Sequence, residues 1–208
     1  MKNMFECLKF SFYILAHPFD GFWILKSEKR GNVKSATVLL ALFFLTLAFR
    51  IYSVGYLISG TSENGFSVWV LLLLIVFLFI LYSVSNWALT TLFDGKGKFS
   101  EVYTALCYAS VPITLFNIPL AVISRVITLE ETSFYTFFSI ASVIWMIFLL
   151  LAANLSTHDY TMTKSIITFI CTVIAMVIII VLLVLFANLV QQVYLFILSV
   201  IKEAAFRI

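Results

Sequence analysis

Run length constrains this chain more than any other feature: apolar stretches of about 20 residues recur five times along 208 residues, separated by short polar loops. About 20 helical residues cross a hydrocarbon core, and in lipid a backbone amide must find its partner within the segment or its neighbours. The expected fold class is all-α, a polytopic membrane helix bundle of five transmembrane helices with interfacial helices at the N- and C-termini. Composition supports this, since 11% of residues are charged where a soluble domain carries roughly a quarter.

The spans are read at about 35–58, 67–92, 101–125 and 133–155, with the fifth starting near Lys164. Ser100 is expected to cap the third helix, and Thr128 to Glu131 to form a capping box before the fourth. Pro112 and Pro119 remove backbone donors inside the third span and free the carbonyls of Tyr108 and Leu115, so a bend or local unwinding is predicted there. The last apolar stretch, Lys164 to Ile201, amounts to about 55 Å of helix, far more than a bilayer is thick. An exit is therefore expected at 188–192, followed by a second interfacial helix. At the other end Met4, Phe5, Leu8, Phe12 and Leu15 follow helical spacing, so 3–16 reads as an amphipathic helix that Pro18 terminates. A cleavable signal peptide is disfavoured because the apolar core is short and no small-x-small site follows it. Three segments result: 1–34 at the surface, 35–192 in the membrane, and 193–208 at the surface.

Five spans divide the loops between two sides. Lys2, Lys9, Lys26, Lys29, Arg30, Lys34, Lys96, Lys98 and Lys164 fall on one, and Arg125, Lys202 and Arg207 on the other. The positive-inside bias puts the N-terminus in the cytosol and the C-terminus outside. A net charge of +3 scattered in this way argues against a nucleic-acid partner. Cys7, Cys107 and Cys171 lack metal-ligand spacing and imply no disulfide framework.

Arg50 is the charged residue well inside a span. A structural pairing near the outer end, with Glu130 or Glu131, is preferred over a transport role. Ser83, Asn86 and Thr90 share one face of the second helix by their spacing, and with Asn117 and Asn154 they read as helix-to-helix glue. A proton-coupled pump calls for a carboxylate or histidine near mid-membrane, which these spans lack. His17 and His158 each have a neighbouring carboxylate, Asp20 and Asp159; hydrated or capping roles are favoured over a metal site. The loop Asp94 to Lys98 before Ser100 offers backbone donors and lysine charge to a phosphate or lipid head group, although an anchoring turn is the plainer reading. It lacks the Walker spacing. No catalytic set is present, and neither an enzyme activity nor a cofactor is expected.

Several segments together resemble the Yip family: His17-Pro-Phe-Asp-Gly-Phe-Trp23, the basic stretch Lys26 to Gly31 with Arg30, Asn86-Trp-Ala-Leu-Thr-Thr-Leu-Phe-Asp-Gly95, Tyr108-Ala-Ser-Val-Pro112 and His158-Asp-Tyr160. The resemblance spans about 17–192, and the family's cytosolic N-terminus and five spans match the charge count. It is closer to the short bacterial members, whose genes can lie beside carbohydrate ABC importers, than to the eukaryotic ones. Eukaryotic Yip proteins are linked to trafficking and Rab-type GTPases through a long N-terminal region that this sequence does not show, so that role is not expected. The resemblance implies a multi-pass protein of the bacterial plasma membrane, acting on membrane lipids or other membrane proteins, ABC transporter subunits among them. Contacts are expected at His17, Asp20, Trp23, Lys26, Arg30, Asp94, Lys96, Lys98, His158 and Asp159. A small-solute or ion path along the bent third span is the alternative.

Overall fold

The computed structural model describes residues 4–28, 31–53, 67–124 and 131–206. All of its regular structure is helical. Two short helices, α1 (Met4–Ala16) and α2 (Pro18–Ser27), precede the spans α3 (Val33–Ser53) and α4 (Val68–Leu92). The third span is divided into α5 (Phe99–Ala109) and α6 (Val111–Ile123), and the fourth and fifth are α7 (Thr132–His158) and α8 (Met162–Phe206). Five segments are long and apolar enough to cross a membrane, in agreement with the sequence.

Pro18 ends α1 as expected, but it also begins α2, because the first helical position needs no N–H donor. The aromatic and basic stretch after it is therefore a helix, packed on α7. Gly21 lets α1 and α2 approach, since a Cβ there would lie 2.9 Å from the Ile14 Cα. Phe10 and Ile14 of α1 are buried in the core and Leu8 and Leu15 pack partly against it, while Phe12 is exposed.

The third span occupies the centre. α5 contacts α3, α4 and α7, and α6 contacts α3 and α7. Ala105, Cys107, Ala109 and Ala121 let neighbouring backbones come close, and all are buried. The expected bend falls at Ser110, whose Oγ donates to the Cys107 carbonyl at 2.8 Å, just before Pro112 in the first turn of α6. Around the periphery the large side chains Trp69, Leu73, Phe137 and Ile144 are exposed, the pattern of a bundle solvated by lipid.

Two caps differ from expectation. The N-cap of α5 is Lys98 and not Ser100: the Lys98 N–H donates to the Glu101 carboxylate at 3.0 Å, the second half of a capping-box arrangement. The box expected from Thr128 lies outside the described residues but for Glu131, which holds the N-cap position of α7 without a side-chain cap bond. The largest departure is in α8, which runs unbroken for 45 residues through 188–192. Asn188, Gln191 and Gln192 are polar but contain no glycine or proline, so nothing in their backbone chemistry stops a helix. At 1.5 Å per residue α8 is about 67 Å long, roughly twice the hydrocarbon thickness.

Candidate functional site

Most of the chemistry-bearing residues gather at one end of the bundle, where α4 and α7 both finish. Each helix ends on an aspartate in the left-handed conformation, Asp94 at φ 58° and Asp159 at φ 56°. Aspartate tolerates that region better than most residues, which makes each a natural C-terminal stop. The Gly95 N–H returns to the Thr90 carbonyl at 2.7 Å, and the Tyr160 N–H to the Leu155 carbonyl at 3.0 Å.

The two ends then cap each other. The Tyr160 hydroxyl donates to the carbonyls of Phe93 at 3.1 Å and Thr90 at 3.4 Å, supplying a donor where α4 has run out of its own. The Gly97 N–H donates to His158 Nδ1 at 3.3 Å, so Nδ1 is unprotonated and Nε2 carries the hydrogen that it donates to Asn86 Oδ1 at 3.1 Å. This pattern assigns His158 as a neutral imidazole. Asn86 Nδ2 donates in turn to Asn154 Oδ1 at 3.3 Å and Thr172 Oγ1 at 3.2 Å, and Asn154 Nδ2 to the Ser165 carbonyl at 3.3 Å. Asn86, Asn154, His158, Ser165 and Thr172 are all buried. One chain of hydrogen bonds thus ties the loop after α4 to α7 and α8.

The glycines of the loop are required by this packing. A Cβ at Gly95 would sit 2.7 Å from His158 Nδ1 and from the Tyr160 hydroxyl, and one at Gly97 2.7 Å from His158 Cε1. The His158 and Tyr160 rings stack at 5.4 Å, and Lys164 Nζ lies 4.5 Å from the Tyr160 ring centre. Burial, with the Asp94 charge adding to it, pushes the Tyr160 phenol above its ordinary pKa, so it stays a hydrogen-bond donor.

Outside this core lies a charged rim. Lys26 of α2 donates to Asp159 at 2.8 Å, and Lys96 stands 3.5 Å from the other carboxylate oxygen. The Lys26 hydrogen bond is the largest cause holding the Asp159 carboxyl below its usual range. This pair fastens α2 to the turn between α7 and α8, which sets 26–28, 94–98 and 159–161 on the same side of the bundle. Asp20 and Trp23 are exposed on α2, and Lys96 and Lys98 on the loop. His17 is also exposed and sits against the Tyr13 ring at 5.2 Å, in surroundings separate from those of His158. No cluster of three or more metal-ligating side chains occurs among the described residues. Arg30 lies outside them.

The segments that meet here, 86–95 and 158–160 with Lys26 of α2 beside them, are among those that carried the family resemblance. The Yip1 domain family model matches residues 12–200. The chain belongs to the Yip1 domain family. No curated protein and no solved structure gave a match. In this Yip1 domain, then, 86–95 and 158–160 meet at one polar end that Lys26 reaches from α2, while Phe19 packs on Phe148 further along α7 and 108–112 sits at the bend of the third span.

Arg50 stands apart from that end. Its guanidinium donates to Asn117 Oδ1 at 2.8 Å and to the Tyr135 hydroxyl at 3.0 Å, and lies 5.6 Å from the Tyr135 ring centre. It joins α3, α6 and α7; Glu130, one of the two acids considered for it, is outside the described residues. Ser165, Thr168 and Thr172 were missed by sequence reasoning. Their signal was available: three hydroxyls spaced by three and four near the start of a largely apolar helix, all buried.

Proposed function

We propose that this Yip1 domain chain is a non-enzymatic accessory or organising protein of the bacterial plasma membrane, docking other membrane proteins or lipid through its basic end. The N-terminus and the basic end face the cytosol in this reading, and the C-terminus lies outside, as the loop charges favour. The observation that carries it is the construction of that end. A buried, fully connected hydrogen-bond chain holds rigid a rim on which Trp23, Lys96 and Lys98 are left exposed. Rigid scaffolding beneath exposed aromatic and cationic side chains suits recognition, and His158, Asp159 and Tyr160 are each engaged in structural bonds.

The resemblance points to membrane-transport machinery, a carbohydrate ABC importer included, as the partner class. The alternative of a solute path along the third span has less support, because Cys107, Tyr108 and Ala109 at its bend are fully buried by packed neighbours. Affinity purification from native membranes tests the proposal: a stoichiometric membrane partner should co-purify and be lost on Trp23→Ala with Lys96→Glu. Recovery of a lone, monodisperse chain contradicts it.

A further inference from the structure

A cavity of about 270 Å³ opens beside the rim, between α2, the start of α3 and the start of α5. Its wall is of two kinds. Phe22, Leu25 and Ala105 supply a buried apolar floor. Lys26 and Lys98 stand on its margin, and Val33, the first residue of α3, and Ser100, the second of α5, line it as well. Helix starts carry N–H groups without an intrahelical partner and partial positive charge, and here two of them border one space already edged by two lysines. Glu101 is the opposing charge, with one of its carboxylate oxygens accepting from the Lys98 N–H at 3.0 Å. Lys26 is shared with Asp159, which leaves Lys98, exposed, as the freer cation.

Size and depth narrow the ligand. Pockets for drug-sized molecules run from roughly 300 to 1,000 Å³, so this one suits something smaller, of glycerophosphate dimensions. Lysine serves as a point-charge partner for phosphate, and the anion most concentrated at this level of an inner leaflet is a lipid phosphate. We propose that this cavity binds a phosphate-bearing polar head, with the phosphate between Lys98 and the two helix starts and its apolar continuation over Phe22 and Leu25. The inference rests on the orientation given above but not on any protein partner, so failure to co-purify one leaves it standing.

Calorimetric titration of the purified full chain in maltoside micelles tests it. The probes are dioctanoyl phosphatidylglycerol, dioctanoylglycerol and glycerol phosphate. Saturable one-to-one binding of phosphatidylglycerol and none of dioctanoylglycerol is expected. Glycerol phosphate binding as well would identify a soluble phosphate as sufficient; its failure to bind would make the source a lipid, and both results support the site. Lys98→Gln should weaken binding about fivefold, Thr104→Leu should fill the cavity and abolish it, and Glu101→Gln, which still accepts from the Lys98 N–H, should tighten it. Equal binding of dioctanoylglycerol overturns the proposal. So does phosphatidylglycerol affinity that is unchanged in both Lys98→Gln and Glu101→Gln, two surface variants whose folding is checked by their melting curves.

Discussion

Replacing Asn86 by alanine removes the centre of the hydrogen-bond chain. The side chain is 2% exposed and holds three partners on two other helices: His158 at 3.1 Å, Asn154 at 3.3 Å and Thr172 at 3.2 Å. Hydrogen bonds between membrane helices average about 0.6 kcal/mol, so three amount to about 2 kcal/mol. The individual groups set the distribution of that loss. Thr172 still donates to the Thr168 carbonyl at 2.8 Å and loses little, whereas the His158 Nε2–H and Asn154 Oδ1 are stranded out of reach of water. Asn86→Asp gives a sharper test at the same volume. It keeps an acceptor for His158 but turns two donors into acceptors facing Asn154 Oδ1 and Thr172 Oγ1, and brings a charge into the bundle, so it should destabilise more than alanine does. Unfolding by SDS titration, followed by tryptophan fluorescence in mixed micelles, measures both. A loss of about 2 kcal/mol for Asn86→Ala, with Asn86→Asp larger, is expected. The reasoning is refuted by Asn86→Ala within about 0.3 kcal/mol of the natural protein, or by Asn86→Asp equal to it.

The same assay addresses the glycine loop: Gly97→Ala drives a methyl against His158 and Thr157 and should cost about 1–3 kcal/mol, while Lys96→Ala in the same loop should be near neutral. Arg50→Lys cannot span Asn117 and Tyr135 together and should lose about 1 kcal/mol, with Tyr135→Phe losing part of the same amount in a double-mutant cycle. Asp159 has its pKa depressed on folding, so its contribution is present above the unfolded carboxylate value near 3.9 and is lost as the pH falls through the lower folded value. Because the side chain is 46% exposed, the drop in melting temperature between pH 5 and pH 3 should be small, and Asp159→Asn should flatten it.

The spans were legible because lipid leaves so few options: a run of about 20 apolar residues has one fate, and five such runs appear in the structure close to where the sequence placed them. Ser83, Asn86 and Thr90 were readable as one face for a similar reason, since spacing of three and four is a local property of a helix, and all three are buried. The partners of that face were not readable. Asn86 meets His158 across 72 positions, and Tyr160 reaches back 67 to the carbonyl of Phe93, pairings that no periodicity encodes. The loop 94–98 looked like a plain basic turn because glycine reports freedom of the backbone and says nothing about what will press against it. In α8 the expectation of a break came from bilayer thickness, a property of the surroundings, while the helix follows its own backbone propensity through 188–192.

The account depends most on which side of the membrane the convergent end occupies. Single cysteines placed at Lys96 and at Lys202, in a chain whose three natural cysteines are replaced, can be labelled in intact cells with a membrane-impermeant maleimide. Protection at position 96 until the membrane is opened, with immediate labelling at position 202, is the predicted result. Labelling of both positions from outside, or of neither, contradicts it.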